Sequence, residues 1–249
     1  MKILGSDFDG TLNYGGIDQA KCDAIDSWRR AGHLFGLVSG RGPGFLRNLR
    51  NQYPTLHMDF FVAYNGAFIV DAEGKTLDTT VCDGVSALDL TADLLAWGCP
   101  FVCASGVNGY TARKDGEPLR DGECAFSDLP GDFPWFYQVS VQLETYAAAE
   151  AMTHKLKEVY GDRLNPLQNG VCIDIVAPTV NKAAGLRRLA ALFGGNEADI
   201  IAVGDNINDL DMLKAFRSYA MENGVEEVKR VSGQTVESVI ELIRLELST

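Results

Sequence analysis

Two carboxylates, Asp7 and Asp9, stand two residues apart in Asp7–Phe8–Asp9–Gly10–Thr11–Leu12, directly after a short apolar run at residues 2–6. Strand alternation sends side chains two apart to one side, and Gly10 permits an abrupt loop. Acids placed in this way can divide a reaction between them. One stays ionised to attack or to hold a cation, and the other carries a proton, provided their surroundings push the pKa values apart. Alone, the pair also reads as an acidic turn. A second group is Ser39–Gly40–Arg41, where a hydroxyl and backbone N–H groups could hold phosphate oxygens or simply form a capping loop. The third is Lys182, which alone reads as a solvated cation. The fourth is Gly204–Asp205–Asn206–Ile207–Asn208–Asp209, after the apolar run at 199–203. Its oxygen-bearing side chains suit Mg²⁺, which takes one or two carboxylates together with phosphate oxygens and water.

The elements needed to place these groups are visible in the periodicity. Apolar strands at 2–6, 33–38 and 59–63 alternate with helical stretches at 17–31 and 45–51, a βαβ pattern that predicts a parallel sheet. In such sheets ligands bind beyond the carboxyl ends of the strands, where Asp7, Ser39 and Asp205 all fall. A hairpin is expected over 67–70 and 75–81. The middle of the chain then changes character, with helices at 86–97 and 145–160 between short strands at 101–104, 110–114, 135–143, 163–167 and 171–176. Met152, Leu156, Val159 and Tyr160 give the second helix its stripe. After Pro178 the α/β alternation resumes. Leu186, Leu189, Ala190 and Phe193 mark one helix, 207–215 reads as another, and Val236, Val239, Ile240, Ile243 and Leu247 mark an amphipathic last one. The expected architecture is an α/β parallel-sheet core of Rossmann type at 1–82 and 178–249, interrupted by an α+β domain at 83–177.

Each group is ambiguous singly, but the ordered set resembles the haloacid dehalogenase superfamily, and within it the Cof-like phosphatases with a type-two cap. The matching segments are Asp7–Leu12, Ser39, Asn65–Gly66–Ala67, Lys182 and Gly204 to Met212. The Gly-rich flap at 13–16 is shorter than in many members. The resemblance implies that Asp7 is the nucleophile of an aspartyl-phosphate mechanism. Asp9 then serves as general acid and base and binds metal through its backbone carbonyl. Asp7, Asp9, Asp205 and Asn206 hold Mg²⁺, while Lys182 keeps Asp7 charged. Ser39, Gly40, Asn208 and the Phe8 N–H hold the phosphoryl group, and Asp209 orients the shell around Lys182 and the metal. Dehalogenases of the superfamily lack the second Asp, because a halide leaves unprotonated, so Asp9 favours a phosphatase or a phosphomutase. A phosphate sensor on the same fold is a non-enzymatic alternative. A receiver domain is about half this length, and a P-loop would need a G-x-x-x-x-G-K-[ST] segment that is absent.

The implied substrate is a small phosphorylated metabolite, most simply a sugar phosphate, with the cap reading the leaving group and closing over it by a hinge at the two crossings. Candidate contacts are Phe133–Pro134–Trp135–Phe136–Tyr137 and the polar Tyr110, Arg113, Lys114 and Arg120. Composition agrees with this class. The 249 residues are 46% hydrophobic, enough for a sizeable core, and 22 basic against 34 acidic residues leave a net charge of −12. Such an acidic chain is a poor partner for nucleic acid or an anionic membrane. No apolar run nears the ~20 residues of a membrane helix, and Asp7 and Asp9 come too early for a secretory signal. The six cysteines lack a C-x-x-C pair and the three histidines lack metal-ligand spacing. Thiols of this kind fit a reducing, cytoplasmic setting.

Overall fold

The computed structural model describes residues 1–106, 109–131 and 135–248. The chain divides into two compact units, one made of Met1–Thr79 with Asn181–Thr249 and the other of Thr80–Val180.

The first unit opens with β1 (Ile3–Ser6), α1 (Gln19–Arg30), β2 (Leu34–Val38), α2 (Gly44–Gln52), β3 (Phe60–Ala63), β4 (Phe68–Asp71) and β5 (Thr76–Thr79). The second unit holds β6 (Cys82–Asp83), α3 (Gly84–Ala96), β7 (Val102–Gly106), β8 (Tyr110–Arg113), β9 (Cys124–Ala125), β10 (Trp135–Gln142), α4 (Tyr146–Tyr160), β11 (Asn165–Asn169) and β12 (Cys172–Val176). The chain then returns to the first unit through α5 (Lys182–Leu192), β13 (Ile200–Gly204), α6 (Leu210–Ala215), β14 (Arg217–Met221), α7 (Glu226–Val231), β15 (Gln234–Val236) and α8 (Val239–Leu247).

In the first unit the strands run in the order β15-β14-β13-β1-β2-β3-β4-β5. Pairing is parallel from β15 to β3, and β4 and β5 add an antiparallel edge. Strand alternation divides the apolar side chains between two faces. Leu4, Leu37, Phe61, Ile201 and Val203 pack with Trp28 of α1, Leu46 of α2 and Leu242 of α8. Ile3, Val38, Val62, Ile200 and Ala202 pack with Leu186 and Leu189 of α5 and Leu213 of α6. The result is a three-layer α/β/α core. Burying each such side chain contributes about 1.5–3 kcal/mol relative to leaving it exposed.

β1 lies between β2 and β13, the point at which the chain's strand order reverses. Ser6 is level with Leu37 on one side and Val203 on the other. The residues just beyond these three strand ends are therefore neighbours in space, at the crevice where open α/β sheets bind ligands.

In the second unit a largely antiparallel sheet runs β11-β12-β10-β7-β8-β9, with β6 also on β10. The stripe of α4 differs from the sequence expectation. Ala149, Thr153, Leu156 and Tyr160 are buried, while Val159 is exposed. Three other local expectations also need correction. Residues 207–209 form a separate 3-10 turn before α6, Val236 ends β15 instead of starting α8, and the pair β14–α7 is additional. Among the described residues no helix is long and apolar enough to cross a membrane.

Candidate active site

Asp7 is the first residue beyond β1. Its backbone is extended, with φ −61° and ψ 162°, and its N–H donates to the Val203 carbonyl at 3.0 Å, continuing the sheet for one more residue. The chain then turns sharply. Gly10 sits at φ 81°, and a Cβ there would lie 2.3 Å from a carboxylate oxygen of Asp205. Glycine is thus required both by conformation and by the close approach of the acidic loop after β13. Thr11 Oγ1 donates to Asp205 Oδ1 at 2.7 Å. Asn223 Nδ2 donates to the Gly10 carbonyl at 2.8 Å.

Lys182 opens α5, behind the N-cap Asn181, whose side chain accepts from the Ala184 N–H. The lysine is fully buried. Its Nζ donates to Asp7 Oδ1 and to Asp209 Oδ1, both at 2.6 Å. The other Asp209 oxygen accepts from the N–H groups of Asp205 at 2.9 Å and Asn206 at 3.0 Å. Gly204 makes room for it, since a Cβ there would stand 2.5 Å from the Asp209 carboxyl. Both oxygens of Asp209 are therefore engaged by protein donors, while Asp7 and Asp205 are less fully tied.

Carboxylate oxygens of Asp7, Asp205 and Asp209 lie within 4.8 Å of one another. One ammonium faces three acids, and burial makes that imbalance costly. Burial pushes the Asp7 carboxyl up to about 8; Lys182 opposes the rise, and Asp209 and Asp205 add to it. Burial likewise raises Asp205 to about 6, against the Thr11 bond and with help from Asp209. For Lys182, burial pulls the ammonium down, but the charges of Asp209 and Asp7 more than compensate and hold it above its ordinary value. A divalent cation would correct this excess of negative charge. An all-oxygen set of this kind fits a hard ion, so the cluster can hold a metal.

The remaining residues singled out from sequence are placed as follows. Ser39 is buried one residue beyond β2, and its Oγ accepts from the Arg41 N–H at 3.3 Å. Gly40 and Asn208 are half-buried. Asn206 Oδ1 caps the 3-10 turn by accepting from the Ile207 N–H at 2.8 Å. Phe8 is buried, its ring edge-on to Phe45 at 4.8 Å.

Asp9 is not free. The Arg41 guanidinium donates Nε to Oδ2 at 2.7 Å and Nη2 to Oδ1 at 2.8 Å. That guanidinium lies over Phe45 at 4.6 Å and Phe8 at 5.6 Å. In the sequence, Arg41 stands out only for the backbone N–H groups around Ser39. No local signal marked the side chain, because its partner lies 32 residues away in the sequence.

In the second unit, Arg113 pairs with Glu123 through a two-pronged contact and donates to the Pro100 carbonyl. Tyr110 shares a hydrogen bond with Thr91 at 2.9 Å. Lys114 and Arg120 are exposed, and the Arg120 N–H donates to Glu123. Trp135 and Tyr137 form an edge-on pair at 5.0 Å, while Phe136 is core. Phe133 and Pro134 lie outside the described residues. The six cysteines are free thiols.

The sequence matches the haloacid dehalogenase-like hydrolase family over residues 4–241. This chain belongs to that family. The haloacid dehalogenase-like chain is 36% identical over 243 residues to the 5-amino-6-(5-phospho-D-ribitylamino)uracil phosphatase YbjI of Escherichia coli K12, covering 90% of this chain and 86% of that one. Among solved structures, SMU.1108c of Streptococcus mutans UA159 matches with a TM-score of 0.81 at 21% identity, with both chains fully covered. The HAD subclass IIB sugar phosphatase BT4131 gives a TM-score of 0.81 at 17% identity, again over the whole of both chains. These structural likenesses establish a shared fold. As a haloacid dehalogenase-like hydrolase, the chain carries its acids beyond the ends of β1 and β13, Ser39 beyond β2, and its lysine at the start of α5.

Proposed function

We propose that this chain is a Mg²⁺-dependent phosphatase that hydrolyses a small phosphomonoester, a sugar or polyol phosphate, through a phosphoryl group carried on Asp7. The observation that carries the reading is the buried Asp7 carboxylate held by Lys182 at 2.6 Å beside Asp205. Phosphoryl transfer asks a protein chiefly for positioning and charge neutralisation. Mg²⁺ held by Asp7, Asp205 and the Asp9 carbonyl would supply the positive charge that the phosphoryl oxygens need.

The steps belong to the protein's own groups. The Asp7 carboxylate attacks phosphorus, and the bond from phosphorus to the leaving oxygen breaks. Ser39, Asn208 and the N–H groups of Phe8 and Gly40 hold the phosphoryl oxygens. Asp9, released from the fork of Arg41 and protonated from solvent, gives that proton to the leaving oxygen. Asp9 then takes a proton from water, which attacks the same phosphorus and releases inorganic phosphate and free Asp7. Lys182 and Asp209 keep the Asp7 oxygen aimed throughout.

The substrate class is supported by the relationship to YbjI, whose name specifies a phosphorylated ribityl compound. A panel of phosphorylated metabolites, assayed for released phosphate with Mg²⁺ and with a chelator, tests the proposal. Expected is steady release that the chelator stops, fastest with sugar phosphates or the phosphoribitylamino-uracil. Turnover only with a bisphosphate activator, binding without turnover, or faster release from phosphoproteins or nucleic-acid ends would each contradict it.

A further inference from the structure

The loop that follows the catalytic aspartates is wound around one buried ammonium. Lys21 lies in the first turn of α1, its N–H bonded to the N-cap Asp18 at 2.9 Å. Its side chain runs back into the loop and is only 7% exposed as a residue. There Nζ donates to three backbone carbonyls: Leu12 at 2.9 Å, Tyr14 at 2.6 Å and Gly16 at 2.5 Å. The three donors of an ammonium match three convergent acceptors. Of the N–H groups of the same loop, two reach back to residues 7 and 8 and two close local turns. Leu12 donates to the Asp7 carbonyl at 3.2 Å, Asn13 to Phe8 at 2.9 Å, Tyr14 to Thr11 at 3.2 Å and Gly16 to Asn13 at 2.9 Å. Leu12 thus joins both sets, with its N–H on Asp7 and its carbonyl on Lys21.

We infer that Lys21 is a positioning residue for the phosphatase reaction: a built-in ammonium that clasps residues 12–16 and, through Leu12 and Asn13, fixes the main chain of Asp7 and Phe8. This rests on the reading of Asp7 as nucleophile. Without the clasp, three carbonyls converge on an empty centre and repel one another, so the loop opens and the nucleophile loses its aim. A displacement near 1 Å costs up to about 10²-fold in rate. The effect falls on kcat, because Lys21 touches neither phosphate nor leaving group.

The test is Lys21→Ala, assayed on the best substrate of the panel. Expected is a fall in kcat of about tenfold or more with KM within about threefold. Added n-propylammonium, which brings three N–H donors to the vacated centre, restores most of the loss, whereas tetramethylammonium, with equal charge and no N–H, does not. Wild-type kcat in the variant, a loss confined to KM, or equal rescue by both cations would overturn the inference. A second measurement covers a variant that fails to fold. In the wild-type protein, hydrogen exchange at the Leu12, Asn13, Tyr14 and Gly16 amides should be protected as a group. Exchange at unstructured-chain rates there would overturn the clasp. Failure of the nucleophile reading shows separately, as turnover surviving in Asp7→Asn with Lys21 intact.

Discussion

Replacing Asp7 by Asn eliminates phosphate release and, in metal-free protein, raises the melting temperature at neutral pH. The first effect follows from the loss of the attacking oxygen, since an amide is a poor nucleophile toward phosphorus. The second follows from burial. With its carboxyl pushed up to about 8 from an ordinary value of 3.8, the folded state holds a proton that the unfolded chain gives up earlier. Stability from this group is therefore fully present below about pH 4 and is lost as pH rises toward 8. Asparagine has nothing to ionise and removes that slope. The difference in melting temperature between variant and wild type should widen from pH 5 to pH 8. For a chain of this size ~1 kcal/mol corresponds to about 2–4 °C. Mg²⁺ should narrow or reverse the difference, because the ion favours the ionised carboxylate that only the wild type has. Equal melting temperatures across that pH range without metal would remove the excess negative charge from the account.

Lys182→Met is the single change expected to damage stability and turnover together. It leaves Asp7 and Asp209 buried without the ammonium that each contacts at 2.6 Å. Removing one partner of a buried ion pair costs about 3–5 kcal/mol, which should appear as a lowered denaturant midpoint. Turnover should fall by at least ~10²–10³-fold, the loss typical of a removed charge-stabilising donor. Lys182→Arg should not restore it, because the position is fully buried and a planar guanidinium cannot replace the ammonium between the two acids. Denaturation and kcat measured on the same samples separate the two effects. A variant with wild-type midpoint and wild-type kcat would show that the lysine is dispensable.

The acids and the lysine were legible in the sequence because each sits at a strand end or helix start that local patterning marks. Asp7 follows the apolar β1, Asp205 follows β13, and Lys182 follows a helix-capping Asn. Asp209 was legible through its spacing from Asp205. Arg41 and Asn223 were not, because their side chains act across the fold: Arg41 reaches Asp9 over 32 residues and Asn223 reaches Gly10 over 213. No local period encodes such a reach. Lys21 was hidden for a related reason, since its partners are backbone carbonyls and carry no side-chain signature.

Elsewhere local competition defeated the pattern. Asn206 and Asp209 form a reciprocal cap that takes the first turn away from α6. β14 begins on an exposed arginine and has four buried residues in succession, so it shows no alternation. Arg113 looked available in sequence, but Glu123, ten residues on, claims its guanidinium.

The central claim is that the phosphoryl group passes through Asp7. It is tested most directly by quenching the enzyme during turnover with borohydride, which reduces an acyl phosphate to an alcohol, and mapping the product by mass spectrometry. The account predicts homoserine at position 7, dependent on substrate and Mg²⁺, with Asp9, Asp205 and Asp209 unmodified. Phosphate release at full rate with Asp7 unmodified, or reduction at a different carboxylate, would contradict it.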